Sequence, residues 1–313
     1  MIAAAVDGTP SRLAILVVNY GSSQLLAVNL ADVHTQVPDA RVVVVDNPTT
    51  PEERTRVTEM CSRHGWHLVA PPTNVGFGTG MNLAAQALAP DVTHLLLLNP
   101  DATVDATSLD CLVKHVNRSP EDLVAPRILT PAGEHWFAGA DLLLARGEMR
   151  SWLRRTGGRD PESAQPWLSG ACLLLLRTLW DRIGGFDDDY FLYWEDVDLS
   201  RRVLDAGGEL VVVPQAVAVH DEGATHRGDT AARAKSATYY YFNTRNRLLF
   251  AAKHLSAQDQ RRWRRTAPVV AYRVLLQGGR RQFRHPGRTL LPALRGVRDG
   301  LRLMREHPVT RAS

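Results

Sequence analysis

The chain has 313 residues, 44% of them apolar and 22% charged. That balance belongs to an ordinary globular protein with enough length to bury a substantial core, and it excludes disordered, collagen-like and low-complexity chains. The net charge of +4 is unevenly spread: from Arg261 onward fourteen arginines face only Asp299 and Glu306, a net +12, whereas residues 1–260 carry 23 basic and 31 acidic side chains, a net −8. An acidic body with a basic tail points to an anionic partner.

Leu13–Val18 is a continuous apolar run, as expected of a strand buried on both faces. A helical stretch near Ser22–His34 follows, then a second strand at Arg41–Asp46. Pro51 with Glu52 and Glu53 suits a helix start. A third strand is expected at Trp66–Ala70, a helix at Met81–Leu88 and a fourth strand at His94–Asn99. This alternation predicts an α/β fold with a mostly parallel central sheet flanked by helices.

Residues 131–166, rich in Gly, Arg and Pro, read as loop. Leu168–Arg177 is strand-like, and Asp196–Ala206 reads as a helix closed by Gly207–Gly208. Glu209–Val219 holds two β-rich stretches broken by Pro214. Ala231–His254 predicts a long helix, and the basic tail two more, split near Gly278–Gly279 and Pro286. The expected organisation is a first half over 1–130, a second half of the same domain over 131–256, and a basic helical extension over 257–313.

Cys61, Cys111 and Cys172 are far apart, so a disulfide framework or a cysteine zinc site is not expected and a reducing cytoplasm is. No apolar run approaches the ~18 residues of a membrane span. Met1–Pro10 lacks the basic segment of a secretory signal.

Open parallel sheets bind ligands beyond the carboxyl ends of their strands. The first strand ends in Asn19–Tyr20, the second in Asp46–Asn47 and the fourth in Asn99-Pro100-Asp101. Each alone suits a turn; three at one sheet edge favour a site. Asp46 can accept hydrogen bonds from a ribose hydroxyl or a base N–H, and Asp101 can hold a divalent cation that bridges a diphosphate. The turn Asn74-Val-Gly76-Phe-Gly-Thr-Gly80-Met-Asn82 is glycine-rich and can bring backbone N–H groups near phosphate, a weak signal by itself.

The densest group is the aromatic run Tyr190–Trp194 followed by Glu195, Asp196 and Asp198 in the first turn of the expected helix. Helix capping needs one acid rather than three. Crowded carboxylates raise one another's pKa and can yield a general base, and aromatic faces suit sugar rings. His220 ends an apolar stretch and precedes Asp221–Glu222, which fits a metal ligand, with His226 as its rival.

Taken in order, these segments resemble the family-2 inverting glycosyltransferases of GT-A fold, in particular their bacterial rhamnosyltransferase-like branch. The resemblance runs from about Leu13 to His254. It rests on Val-Val-Asn-Tyr at 17–20, Val-Val-Asp-Asn at 44–47, Asn-Val-Gly-Phe-Gly at 74–78 and Leu-Leu-Asn-Pro-Asp at 97–101. It continues through Leu-Ser-Gly-Ala at 168–171, Gly-Gly-Phe-Asp at 184–187, Phe-Leu-Tyr-Trp-Glu-Asp-Val-Asp-Leu at 191–199, His220 and Arg245–Asn246.

The resemblance implies an NDP-sugar donor, with dTDP or UDP as nucleotide and a deoxysugar such as rhamnose as cargo. It implies donor contacts from Asn19, Tyr20, Asp46, Asn47, Gly76, Asn82, Asn99 and Asp101. Acceptor contacts would come from Trp167, Gly170, Trp194 and Glu195. Asp101 with His220 would hold Mg²⁺ or Mn²⁺, and Asp196 would be the general base. The motif reads Asn99-Pro100-Asp101, without the first acid of the family's D-x-D pattern. Asn47-Pro-Thr-Thr50 stands where relatives more often carry a serine-rich, acidic turn.

A glycan, a lipid-linked sugar or a small molecule would be the acceptor. The tail, with Trp263 and Phe283 among its arginines, suits an anionic membrane surface, which implies a cytoplasmic protein attached peripherally to the inner face. No nucleic-acid motif supports a nucleic-acid partner. The alternative is a catalytically inactive transferase-like protein that docks on membrane or polyanion. A sugar nucleotidyltransferase is disfavoured, because Asn19-Tyr-Gly-Ser is too short for a phosphate-cradling loop and lacks a basic residue.

Overall fold

Uninterrupted apolar strands need a helical layer on each face, and the first half of the chain supplies both. The computed structural model describes residues 12–154, 164–221, 235–279 and 283–306. Strands β1 (Leu13–Asn19), β2 (Arg41–Asp46), β3 (His67–Val69) and β4 (His94–Leu98) lie side by side in the order β3-β2-β1-β4, all parallel. Ile15, Val17, Val42 and Val44 point to one face, and Ala14, Leu16, Val43 and Val45 to the other, so both faces are core.

Helices α1 (Ser23–Leu25) and α2 (Ala31–Gln36) are joined by a π-helical turn at Leu26–Leu30. Helix α3 (Pro51–His64) starts where the sequence places it: Thr50 Oγ1 accepts from the Glu53 N–H at 3.2 Å, and Pro51 opens the first turn. Helix α4 (Phe77–Gln86) begins four residues before the expected start, because the glycine-rich turn is itself helical from Phe77.

The expectation of a mostly parallel sheet holds for this half and needs amendment beyond it. After β5 (Ala102–Val104), helix α5 (Ala106–Arg118) and strand β6 (Leu123–Leu129), neither assigned from the sequence, lead into four short strands. These are β7 (His135–Phe137), β8 (Ala140–Leu143), β9 (Glu148–Ser151) and β10 (Ala164–Trp167). They occupy the stretch read as loop, and at three or four residues each they are too short to show a period. Strand β7 pairs with β6, while β8, β9 and β10 form a separate antiparallel sheet.

Strand β11 (Cys172–Leu176) then enters the main sheet antiparallel to both β4 and β6. After α6 (Arg177–Ile183) and α7 (Glu195–Asp205), strand β12 (Leu210–His220) runs parallel to β6 and antiparallel to β5. The sequence reads β12 as two stretches; it is one strand whose register jumps between Val213 and Val217, a bulge that takes up Pro214.

Helices α8 (Ala237–His254), α9 (Ala257–Leu276) and α10 (Leu290–Glu306) complete the described chain. The early part of the helix expected from Ala231, like His226, lies outside the described residues. The basic tail packs on the body. Trp263 is fully buried against Trp194 and Phe250, its indole N–H donates to the Leu144 carbonyl at 2.6 Å, and the Arg247 guanidinium lies 4.2 Å over its ring. Trp263 is thus a core residue and not part of the surface expected to meet an anionic membrane. Cys61, Cys111 and Cys172 are free thiols.

Candidate active site

Parallel pairing sets the carboxyl ends of β1, β2 and β4 along one edge, so the three polar strand ends do converge. Asn19 and Asp46 are register partners, and the Asn19 amide donates to Asp46 Oδ1 at 2.7 Å. Arg54, not singled out from the sequence, brings Nε to 2.6 Å from Asp46 Oδ2 and donates through Nη2 to the Asp46 carbonyl at 2.8 Å. Its only signal was its place in the first turns of the helix that follows. Burial pushes the Asp46 carboxyl up, against the pull of Asn19 and Arg54. Asn19 and Asp46 are buried, whereas Tyr20 at the lip is 57% exposed.

Asn47 is a clamp. Its Oδ1 accepts from the Val75 N–H at 2.9 Å and its Nδ2 donates to the Gly76 carbonyl at 3.1 Å. The next two amides are also taken, Gly76 N–H by Asn74 Oδ1 at 2.9 Å and Phe77 N–H by the Phe191 carbonyl at 3.0 Å. The glycine-rich turn was expected to turn its backbone N–H groups toward phosphate; these three point into the protein instead. Gly76 (φ +84°) is required by packing, since an added Cβ would lie 2.1 Å from the Phe191 carbonyl oxygen. Asn82 likewise spends its amide on the Phe186 N–H and carbonyl, both at 2.8 Å, and on Asp188 Oδ1 at 3.0 Å. Gly76 and Asn82 therefore tie the first half of the chain to the 186–194 segment.

β5 follows Asp101 and pairs with the end of β12, with His220 opposite Ala102, and the Asp221 N–H donates to the Asp101 carbonyl at 3.0 Å. This brings His220 Nε2 to 3.0 Å from Asp101 Oδ1, with Trp136 packed 4.4 Å from the imidazole. Both side chains are buried; Nδ1 has no hydrogen-bond partner, and Nε2 faces the Asp101 carboxylate without hydrogen-bond geometry. Unsatisfied buried nitrogens beside a carboxylate fit a divalent cation held by one oxygen and one nitrogen donor. Among the described residues no cluster of three or more His, Cys, Asp or Glu could hold a metal. A cavity of about 380 Å³ opens at Asp101 between Gln24, Val28, Thr103 and Asp221.

Helix α7 starts from two consecutive left-handed residues, Tyr193 (φ 65°) and Trp194 (φ 76°). Such backbone is costly outside glycine and persists only where its surroundings enforce it. Asn246 on α8 does so: its Nδ2 donates to the Leu192 carbonyl at 2.9 Å and the Tyr193 carbonyl at 2.8 Å, while Arg245 donates to its Oδ1. The rings of Tyr190 and Trp194 are core, Trp194 being packed on Phe250 and Trp263, so they present no face to a sugar. Trp167 is half-buried beside Phe137.

The turn delivers three carboxylates to three environments. Asp198 is fully buried between Arg202 Nε (2.7 Å) and His254 Nε2 (2.6 Å); burial would raise its pKa, but these partners hold it below the usual value. Glu195 is buried, its Oε2 lacks a partner, and burial with the neighbouring Asp196 charge pushes it far up. Its burial leaves it little open surface for an acceptor. Asp196 is half-buried, accepting from the Gly170 N–H at 3.2 Å and the Val197 N–H at 2.9 Å. Burial pushes it up to about 6 against those two hydrogen bonds. Gly170, expected among the acceptor contacts, is thus a hydrogen-bond partner of Asp196. Next to it, the Ala171 carbonyl accepts from the Asn99 N–H at 2.9 Å, which joins the Asp196 loop to the Asp101 strand end.

Residues 10–264 match the profile of the family described as Glycosyltransferase like family 2. Among curated relatives, an N-acetylglucosaminyl-diphospho-decaprenol L-rhamnosyltransferase of Mycobacterium tuberculosis is 31% identical over 206 residues, 57% of this chain and 67% of the relative. The rhamnosyltransferase WbbL of Escherichia coli is 22% identical over 66% of this chain and 82% of its own. Among solved structures, the mannosyltransferase PcManGT of Pyrobaculum calidifontis, with GDP-Man and Mn²⁺, superposes with a TM-score of 0.55 over 98% of this chain and 89% of that one at 14% identity. GalNAc-T7 with UDP, GalNAc and Mn²⁺ gives a TM-score of 0.53 over 69% of this chain and 45% of that one at 17% identity. With its GT-A fold and its match over most of its length, the chain belongs to glycosyltransferase family 2, in the rhamnosyltransferase-like branch.

Proposed function

We propose that this chain moves a sugar from an NDP-sugar to an acceptor hydroxyl in one displacement that inverts the anomeric centre. The observation that carries the reading is Asp196. It is half-buried, held by the Gly170 and Val197 amides, and tied through Ala171 and Asn99 to the strand end bearing Asp101. A carboxylate raised to about 6 is ionised at neutral pH and basic enough to take the acceptor proton. Burial and the neighbouring Asp196 charge push the Glu195 carboxyl well up as well, so the two titrate as a pair.

Asp46 and Asn47 would fix the nucleoside, with Tyr20 at the exposed lip and Asn19 and Arg54 fixing Asp46 in turn. Asp101 and His220 are the residues that would hold Mg²⁺ or Mn²⁺. A cation bound there offsets charge on the departing diphosphate. The names of the relatives favour a deoxysugar donor such as dTDP-rhamnose, and a glycan, lipid-linked sugar or small molecule as acceptor. Supplying dTDP- and UDP-sugars with candidate acceptors, and following release of nucleoside diphosphate, tests this reading. Release by the wild type and not by Asp196→Asn supports it; equal release by both removes Asp196 from the chemistry.

A further inference from the structure

Among the described residues twelve large apolar side chains are exposed, and seven of them lie between Val269 and Leu294. They are not scattered. Val269, Tyr272 and Leu276 are three, four and seven residues apart on α9, so they form one outward stripe. Phe283, in the connection, stacks on Tyr272 with ring centroids 6.2 Å apart. Leu290, Leu291 and Leu294 continue the patch on the first turns of α10. The buried Leu275 and Ala293 pack in one cluster, so the C-terminal end of α9 and the N-terminal end of α10 are neighbours, and each carries exposed apolar side chains. The opposite faces are core, with Trp263, Ala293 and Met304 buried.

Arginines surround the tip. Arg284, Arg288 and Arg295 are exposed within it, while Arg273 pairs with Glu148 of β9. Farther along the outward face of α10, Arg298, Arg302 and Arg305 line a shallow recess of about 330 Å³. The two acids of this region are engaged: Asp299 with Arg298 and Tyr241, Glu306 with Arg302. Apolar patches of this kind mark interaction sites. Apolar side chains at a helix-pair tip, ringed by guanidinium groups on a net +12 tail, complement a surface that is greasy below and anionic above.

We propose that the α9–α10 tip is a docking surface for an anionic lipid bilayer, with Tyr272, Phe283 and the leucines entering the headgroup boundary and the arginines on lipid phosphates. The proposal rests on this surface and is independent of the donor reading, so its failure would leave the transfer chemistry untouched. The test is flotation of the full chain with vesicles of phosphatidylcholine alone and of phosphatidylcholine with phosphatidylglycerol. Binding to the anionic vesicles is expected to exceed that to neutral ones. It should weaken about tenfold or more as ionic strength rises from about 0.1 to about 1 M, where screening shortens from about 10 to about 3 Å. The combined Tyr272→Ser, Leu291→Ser and Leu294→Ser variant should lose binding with its unfolding midpoint unchanged, and so should Arg284→Glu with Arg288→Glu and Arg295→Glu. Equal retention on both vesicle types, or none on either, would overturn the proposal. A dimer that the serine variant dissociates, with no vesicle binding, would reassign the tip to a second copy of the chain. Nucleic acid bound more tightly than vesicles, and unaffected by the serine variant, would also contradict it.

Discussion

The backbone N–H of Gly170 donates to Asp196 Oδ2 across 3.2 Å. This contact sets Asp196 against the start of β11, and β11 is paired residue for residue with β4, whose end leads to Asp101. Leu-Ser-Gly-Ala at 168–171 is therefore the joint between the two functional ends of the site.

Replacing Asp196 by Asn should lower turnover by about 10²–10⁴ while donor affinity is retained. In the wild type, kcat/KM should fall as pH drops through about 6, because the base is then protonated. The stability effect has the opposite sense. The native state keeps the Asp196 proton to a higher pH than the unfolded chain, so stability is lost between about pH 4 and about pH 6. Asp196→Asn should thus unfold at neutral pH no sooner than the wild type. Retained turnover, or a flat profile between pH 5 and 7, would contradict the base assignment.

Gly76→Ala places a Cβ 2.1 Å from the Phe191 carbonyl oxygen in a left-handed backbone, which should cost about 3 kcal/mol or more in urea unfolding. Gly65→Ala has a similar φ of +68° with no atom within 4 Å of the added Cβ, and should cost only about 1 kcal/mol. Equal costs would show that backbone conformation alone, and not contact with the 186–194 segment, fixes Gly76.

Asp198→Ala leaves Arg202 and His254 without their shared carboxylate and should destabilise the fold by about 3–5 kcal/mol. Because the Asp198 pKa is held below its unfolded value, its contribution is present above about pH 4 and lost as pH falls through the folded value. Loss of stability on acidification should therefore be shallower in the variant, measured by urea midpoint against pH.

Asn246→Ala removes the donor from two carbonyls of the left-handed turn and should cost about 1–3 kcal/mol. As a positioning residue it should lower kcat more than it raises KM. A change in KM alone would separate the turn from Asp196.

Much of this was legible in the sequence. The polar ends of β1, β2 and β4 could be aligned because buried parallel strands announce themselves as apolar runs, and their boundaries fall within a residue or two of expectation. Asp101 and His220 were joined only through resemblance, since the β5–β12 pairing that brings them together links residues far apart in sequence. In the glycine-rich turn, Gly76 and Asn82 have the chemistry of a phosphate cradle, but Asn47, Asn74 and Phe186 occupy their polar groups, which the sequence does not reveal. The aromatic run is a similar case, as Tyr190 and Trp194 face α8 and Trp263, a partner some seventy residues away. Arg54 and Asn246 act on backbone and buried oxygens, which no spacing reveals.

The most direct test of the central claim is a thermal-shift series of the full chain with dTDP- and UDP-sugars, each with Mn²⁺, Mg²⁺ or chelator. A ligand that binds only the native state at about 100 times its Kd adds about 2.7 kcal/mol of stability. The account predicts a rise in midpoint with one nucleotide-sugar class that needs the cation and is lost in Asp101→Ala and His220→Ala. No rise with any nucleotide sugar, or a rise indifferent to cation and to both substitutions, would contradict it.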